Sequence, residues 1–240
     1  MTDFDKTNWA KVDFSRNYLE KADIYIVERR RMFSILRSFM SHFLSSSGNK
    51  KILDLGCGDG ILTEELLRVD GSLSVTLLDG SDDMLAKARQ RLEKFGDFRY
   101  VRASFQELLE QDLLAERYDF AVSSMAIHHL TLSEKTMLFK KILSLLEDGG
   151  YFVNIDVVLP PTEALDQWYM KLWQDWMDDI KMTLGVEDEP DFNVIERYKD
   201  LSENKPDILE TQLLALKEIG FSDVDCFYKY GIFSVFGGKR

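Results

Sequence analysis

The residues best suited to chemistry cluster early in the chain. Gly56-Cys57-Gly58-Asp59-Gly60 follows a short apolar run, Ile52 to Leu55, and precedes an amphipathic one. Glycines at such a strand-to-helix turn permit a tight bend and let a ligand approach the backbone beside the positive end of a helix. A carboxylate, Asp79, closes the next apolar run, 19 residues beyond Gly60. A carboxylate placed there can accept hydrogen bonds from both hydroxyls of a ribose. Loop and carboxylate together predict a site for an adenosine-containing cofactor. The spacing is Gly-x-Gly-x-Gly, not the Gly-x-Gly-x-x-Gly of the dinucleotide fingerprint. Asp54 and Asp59 would repel a pyrophosphate but suit a ligand bearing an ammonium and a sulfonium. S-adenosylmethionine (SAM) fits this pattern better than NAD.

Other reactive side chains are few. His128 and His129 fall just beyond a later apolar run, and either could serve as a general base near neutral pH or pack against the next helix. They are consecutive, and the remaining histidine, His42, is distant in sequence, so no zinc set is expected. No metal is predicted. Cys57 reads as a small filler of the loop, and Cys226 as a strand residue. Tyr18 and Tyr25 could close over the cofactor or rest on the sheet as helix residues. Trp168, Trp173 and Trp176 crowd into nine residues after Pro160-Pro161. They could cap the acceptor, although the spacing of Leu165, Trp168, Leu172, Trp173 and Trp176 also suits a helical core face.

Elements able to position these groups follow from the pattern. An amphipathic helix is predicted from about 24 to 45, then the linker Ser45-Ser46-Ser47-Gly48-Asn49. Strands are predicted at 51–55, 73–79, 98–102, 118–124 and 151–157, alternating with helical segments at 61–69, through Met84 to Leu92, and at 108–114. A further helix is capped by Ser133 and stopped by Gly149-Gly150. Such alternation implies a parallel sheet covered on both faces, so the fold class is α/β. An acidic loop at 187–191 should close the segment 158–205. A last helix, about 207–219, ends at Gly220. The strands 224–229 and 232–236 are hinged at Tyr230-Gly231, so they must pair antiparallel.

Composition narrows the function further. Thirty basic residues against 42 acidic ones give a formal net charge of −12 over 240 residues, which disfavours nucleic acid and acidic lipid as partners. The one basic triplet, Arg29-Arg30-Arg31, is flanked by Glu28 and reads as a solvated helix face. No apolar run of membrane-spanning length occurs, the start is acidic, and only two cysteines are present. A reducing cytoplasm is the expected location.

Four stretches resemble motifs of the class I SAM-dependent methyltransferase superfamily. They are Asp54 to Gly60, Leu77 to Leu85, Tyr118 to Ser124 running on to Leu130, and Leu146 to Phe152. The resemblance implies a Rossmann-like three-layer sandwich whose mostly parallel seven-stranded sheet has order 3-2-1-4-5-7-6, strand 7 reversed. With the break in rhythm after Pro160-Pro161, the expected division is an N-terminal helical segment or lid (1–48), a SAM-binding core (49–157), a helical cap insertion (158–205), and a last helix with hairpin (206–240). By resemblance, Gly56, Gly58 and Gly60 line the methionine moiety and ribose, Asp54 helps order that loop and its ligands, and Cys57 belongs to the same cofactor loop. Asp79 takes the ribose hydroxyls, and Gly80, Ser81 and Met84 lie along the adenine. Ser104 and Phe105 face its edge, though many relatives carry aspartate where Ser104 stands. Ser123 presents backbone to the amino group. No Asn-Pro-Pro-Tyr-like sequence follows the fourth strand, which again disfavours nucleic-acid bases. The expected function is in-line methyl transfer from SAM to a small-molecule acceptor, leaving S-adenosylhomocysteine. A homodimer stays open, as does a relation to carboxy-SAM synthases or to a SAM-binding regulator.

Overall fold

Alternation along the strands decides which side each residue faces. A computed structural model describes residues 4–44, 49–185, 194–199 and 203–240, with the side chains of Asp5, Ser15 and Asn17 aside. The predicted acidic loop 187–191 and most of the linker at 45–49 lie outside the described residues. The sheet comprises β1 (Lys51–Leu55), β2 (Ser74–Asp79), β3 (Arg99–Arg102), β4 (Tyr118–Ser124), β5 (Leu146–Val157), β6 (Ser222–Tyr230) and β7 (Phe233–Lys239). Their order is β3-β2-β1-β4-β5-β7-β6. Neighbours from β3 through to β5 pair parallel, and β7 runs antiparallel to both β5 and β6.

Ile52, Val122 and Val153 face one hydrophobic core, while Leu53, Ala121 and Phe152 face the other. Period-two alternation of apolar residues on both faces is what a sheet covered on both sides requires. The first core is roofed by α1 (Val12–Tyr25), α2 (Arg29–Phe43), α3 (Ile61–Leu67), α4 (Asp82–Leu92) and α7 (Glu163–Leu184). The second is roofed by α5 (Phe105–Glu110), α6 (Leu132–Leu145) and α9 (Leu209–Ile219). The short α8 (Val194–Tyr198) adds Tyr198 to the first core. Among the described residues no helix is long and apolar enough to cross a membrane.

Several boundaries differ from the sequence expectation. The helix expected at 24–45 starts later, as α2 at Arg29, because Glu28 takes a left-handed φ of 54° and separates it from α1, which ends at Tyr25. Residue 131, not Ser133, caps α6. Thr131 and Glu134 stand three residues apart, as a capping box demands, and each side chain serves the other's backbone N–H. The helix ends at Leu145, before Gly149-Gly150, because β5 already begins at Leu146 and meets Tyr118 of β4. Gly149 instead allows a φ of 82° where the register between β4 and β5 shifts.

Gly237, in the middle of β7, carries a requirement the sequence did not reveal. A Cβ there would overlap the backbone carbonyl of Phe152 on β5. Gly237→Ala should therefore cost about 3 kcal/mol, the upper range for overpacking. Gly71→Ala, whose Cβ would come no nearer than 3.9 Å to Leu67 O, should stay within about 0.5 kcal/mol of wild type. Urea denaturation of the two variants checks the contrast.

Candidate active site

The C-terminal ends of β1, β2 and β4 open into one cavity. Its floor is the loop after β1, where the N–H groups of Gly56 and Cys57 both bond Leu78 O on β2, at 2.8 and 3.0 Å. Gly56 takes a φ of 67°, and a Cβ there would fall 2.5 Å from that of Ala126. Gly58 takes a φ of 53°, and the space where its Cβ would project holds no atom within 4 Å. Glycine at the second position thus leaves room for a ligand against the backbone.

Asp79 binds this loop to the start of α4. Its two carboxylate oxygens accept from Gly58 N–H at 2.9 Å and Ser81 N–H at 2.8 Å. Burial nevertheless raises its pKa, against those two backbone donors. Ser81 caps α4 by accepting from Met84 N–H at 3.3 Å, and both residues line the cavity. Phe4 covers Gly80 so closely that a Cβ would meet its ring at 2.8 Å. Ser104 and Phe105 lie on the wall as well, with the Ser104 hydroxyl already used to cap α5.

Asp54 is the unusual carboxylate. Oδ2 accepts from the Thr63 hydroxyl at 2.6 Å, while Oδ1 is buried without a partner. Burial raises its pKa to about 7 against the Thr63 bond, and the charges of Asp79 and Asp59 push the same way. Asp59 is not free in that sense. Arg91 pairs with its carboxylate and donates from Nε to its carbonyl at 3.0 Å. Of the two acidic residues expected to meet a cation, Asp54 is the one left short of a donor. Cys57 is buried, and burial with the charges of Asp79, Asp54 and Asp59 raises its thiol pKa well above the ordinary value. A protonated thiol is no nucleophile.

Two predicted cofactor residues, Gly60 and Ser123, and one predicted catalytic residue, His128, stand apart from the cavity lining. Gly60 opens α3, and a Cβ there would press on Ala88 of α4 at 3.1 Å, so it serves helix packing. Ser123 is fully buried and donates to Leu55 O at 2.7 Å, tying β4 to β1. The wall position falls to its successors Ser124 and Met125, the latter at a φ of 53°. His128 likewise turns inward, its Nδ1 2.6 Å from Asp156 Oδ1, and only His129 lines the cavity. Asp156 is held below its usual pKa: burial opposes this, and the His128 charge and hydrogen bond outweigh it.

The tryptophans of α7 stand away from the cavity wall. Of the predicted lid residues, Tyr18 lines the cavity, whereas Tyr25, Trp168, Trp173 and Trp176 do not. Tyr25 is 5% exposed and belongs to the core, its carbonyl accepting from Trp173 Nε1 at 2.7 Å. Trp173 packs edge-on to Tyr198 and Phe233, Trp176 packs against the same core, and Trp168 is 53% exposed. Met170, Trp173 and Met177 form the buried stripe of α7, which docks that helix on the sheet.

The N-terminal segment supplies further wall residues. Trp9 stands edge-on to Tyr18 and His129, with centroids 5.0 and 5.6 Å away. Arg29, expected on a solvated face, also lines the cavity, 12% exposed and paired with Asp23 at 2.9 Å. Phe4, Trp9, Arg29, Glu203 and Lys205 were missed by sequence reasoning. Only an aromatic residue ahead of the first helix offered any signal.

These features fit SAM. An ammonium would supply the donor that Asp54 Oδ1 lacks, the Gly58 backbone leaves the approach open, and Asp79 would offer its carboxylate to ribose hydroxyls. The family described as "Methyltransferase domain" matches residues 52–150. A carboxy-S-adenosyl-L-methionine synthase of Nautilia profundicola is 23% identical over 84% of this chain and 80% of its own length. An uncharacterized methyltransferase of Geobacillus sp. (strain WCH70) is 29% identical over 65% of this chain and 69% of its own. The stretch that matches the methyltransferase family builds β1 to β4 and the glycine loop of the cavity.

Solved structures agree with the methyltransferase fold. An O-methyltransferase family protein of Burkholderia thailandensis superposes with a TM-score of 0.66 at 13% identity, covering 98% of this chain. The chain spans 62% of that protein's length. The magnesium protoporphyrin IX methyltransferase of Synechocystis PCC 6803, solved with S-adenosylhomocysteine bound, gives 0.64 at 14% identity over 97% of this chain and 95% of its own.

Proposed function

We propose that this methyltransferase transfers the methyl group of SAM, in line, to a small-molecule acceptor in the cytoplasm. One observation carries the reading. An acidic end of the cavity, with Asp54 and Asp79, adjoins an aromatic end, with Trp9, Tyr18 and His129, under one N-terminal cover. SAM supplies an activated methyl on a sulfonium, so the protein's main task is to orient two partners and exclude water. Orientation of that kind is worth about 7–11 kcal/mol of barrier. In this reading Asp79 takes the ribose hydroxyls, Asp54 takes the ammonium, and Gly58 gives way to the methionine chain. Phe4, Trp9 and Tyr18 exclude water. A cover this close, on a chain of net charge −12, suits a small molecule better than a duplex or a tRNA.

A second reading is favoured by the Nautilia alignment, which extends well beyond the matched domain to 84% of the chain. It makes carboxy-SAM the species in the cavity. Mass spectrometry of cofactor extracted from the purified protein separates the two. SAM or S-adenosylhomocysteine is the expected species. Carboxy-SAM would favour the second reading, and no adenosyl compound, with no SAM binding by calorimetry, would sink both.

A further inference from the structure

Resting on the methyltransferase reading, we propose that His129 selects the acceptor: its Nε2 takes a hydrogen bond from a hydroxyl or N–H on a flat, largely apolar molecule. The argument begins with the tautomer. His129 Nδ1 lies 2.9 Å from the carbonyl oxygen of Glu203. A carbonyl oxygen only accepts, so Nδ1 carries the proton and Nε2 carries a lone pair. That Nε2 is buried and has no partner. A buried acceptor left unpaired is unfavourable, and a cavity that will receive a ligand is where such a debt persists.

The ring also stays neutral. Burial drives its pKa down to about 3, and the neighbouring His128 and Lys205 add to this, against the Glu203 carbonyl and Asp156. A neutral ring with one lone pair discriminates by chemistry. It welcomes a group with hydrogen to donate, and it repels a thiolate or carboxylate oxygen. An acceptor whose reacting atom bears no hydrogen leaves Nε2 unpaired.

The surrounding wall sets the rest of the molecule. Trp9 holds its ring edge-on to His129, with Tyr18 edge-on behind it. Met125 and Leu130 continue the surface. Aromatic edges and aliphatic side chains favour a flat apolar body.

Phenol and toluene are suitable probes, since they differ by one hydroxyl. Calorimetry first measures S-adenosylhomocysteine on the wild-type protein, and its absence would overturn the methyltransferase reading itself. With that cofactor saturating, phenol should bind about tenfold tighter than toluene. In His129→Phe the preference should vanish, with toluene binding retained. Cofactor binding without a phenol preference, or a preference that survives His129→Phe, would overturn the role of His129 alone. Should that variant fail to fold, nitrogen-15 histidine spectra of the wild type decide. The Nε2 signal must be unprotonated in the free protein and must move with phenol but not with toluene. A protonated Nε2, or equal responses, overturns the proposal.

Discussion

Asp79→Ala is expected to weaken SAM binding by about 1.5–3 kcal/mol, roughly 10- to 150-fold, while the protein stays folded. The lost interactions are charge-assisted hydrogen bonds from the ribose. The carboxylate also holds Gly58 N–H and Ser81 N–H, so its removal frees the loop and the start of α4 together. Asp79→Asn separates these effects. The amide keeps one acceptor oxygen but presents its NH2 to the other backbone donor, so it should retain only part of the affinity. Calorimetry with SAM on wild type and both variants measures this. An Asp79→Ala protein that binds SAM as wild type does would end the ribose assignment.

The sheet was legible because strand and helix periods alternate cleanly from Ile52 to Val157, and because the chain ends in two strands too close to pair in parallel. Residues on that frame were legible too. Gly56, Gly58, Asp79, Ser81, Met84 and Phe105 line one cavity, as their positions at strand ends required. What closes the cavity was not. Trp9 and Trp173 are equally apolar in sequence, and only tertiary packing sends one to the cavity wall and the other to the core. The spacing of Leu165, Trp168, Leu172, Trp173 and Trp176 suggested a core face, but of these only Trp173 is buried, and its neighbours in the buried stripe are Met170 and Met177. Arg29 illustrates the opposite difficulty. Within a basic triplet it resembles its exposed neighbour Arg30, and only the break at Glu28 turns it inward. The pairing of Asp59 with Arg91 spans 32 residues, beyond any local pattern. Thr131-x-x-Glu134, by contrast, was a visible capping box and a better choice than Ser133.

Asp54 should make both stability and cofactor binding depend on pH, in opposite senses. Its pKa is about 7 in the folded protein against 3.8 for an unperturbed aspartate side chain. The folded state therefore holds this proton more tightly than the unfolded one. Its contribution to stability is full below about 3.8 and is lost as pH rises towards 7, a loss on the order of 4 kcal/mol. Glu64 runs the other way. Burial resists its ionisation, but Lys94, Arg91 and Arg68 lower its pKa to about 2, so its contribution disappears only as pH falls towards that value. Asp54→Asn isolates the first effect, because the amide can still meet Thr63 and cannot ionise. The melting temperature of that variant should rise above wild type progressively from pH 5 to 8. SAM binding shows the mirror image, since an ammonium needs the ionised carboxylate. Wild-type affinity should fall by up to about tenfold per pH unit between pH 7 and 5, a range in which the ligand's amine stays charged. Asp54→Asn should bind weakly and almost without pH dependence. A wild-type affinity that is flat over that range would mean Asp54 Oδ1 does not meet the ammonium.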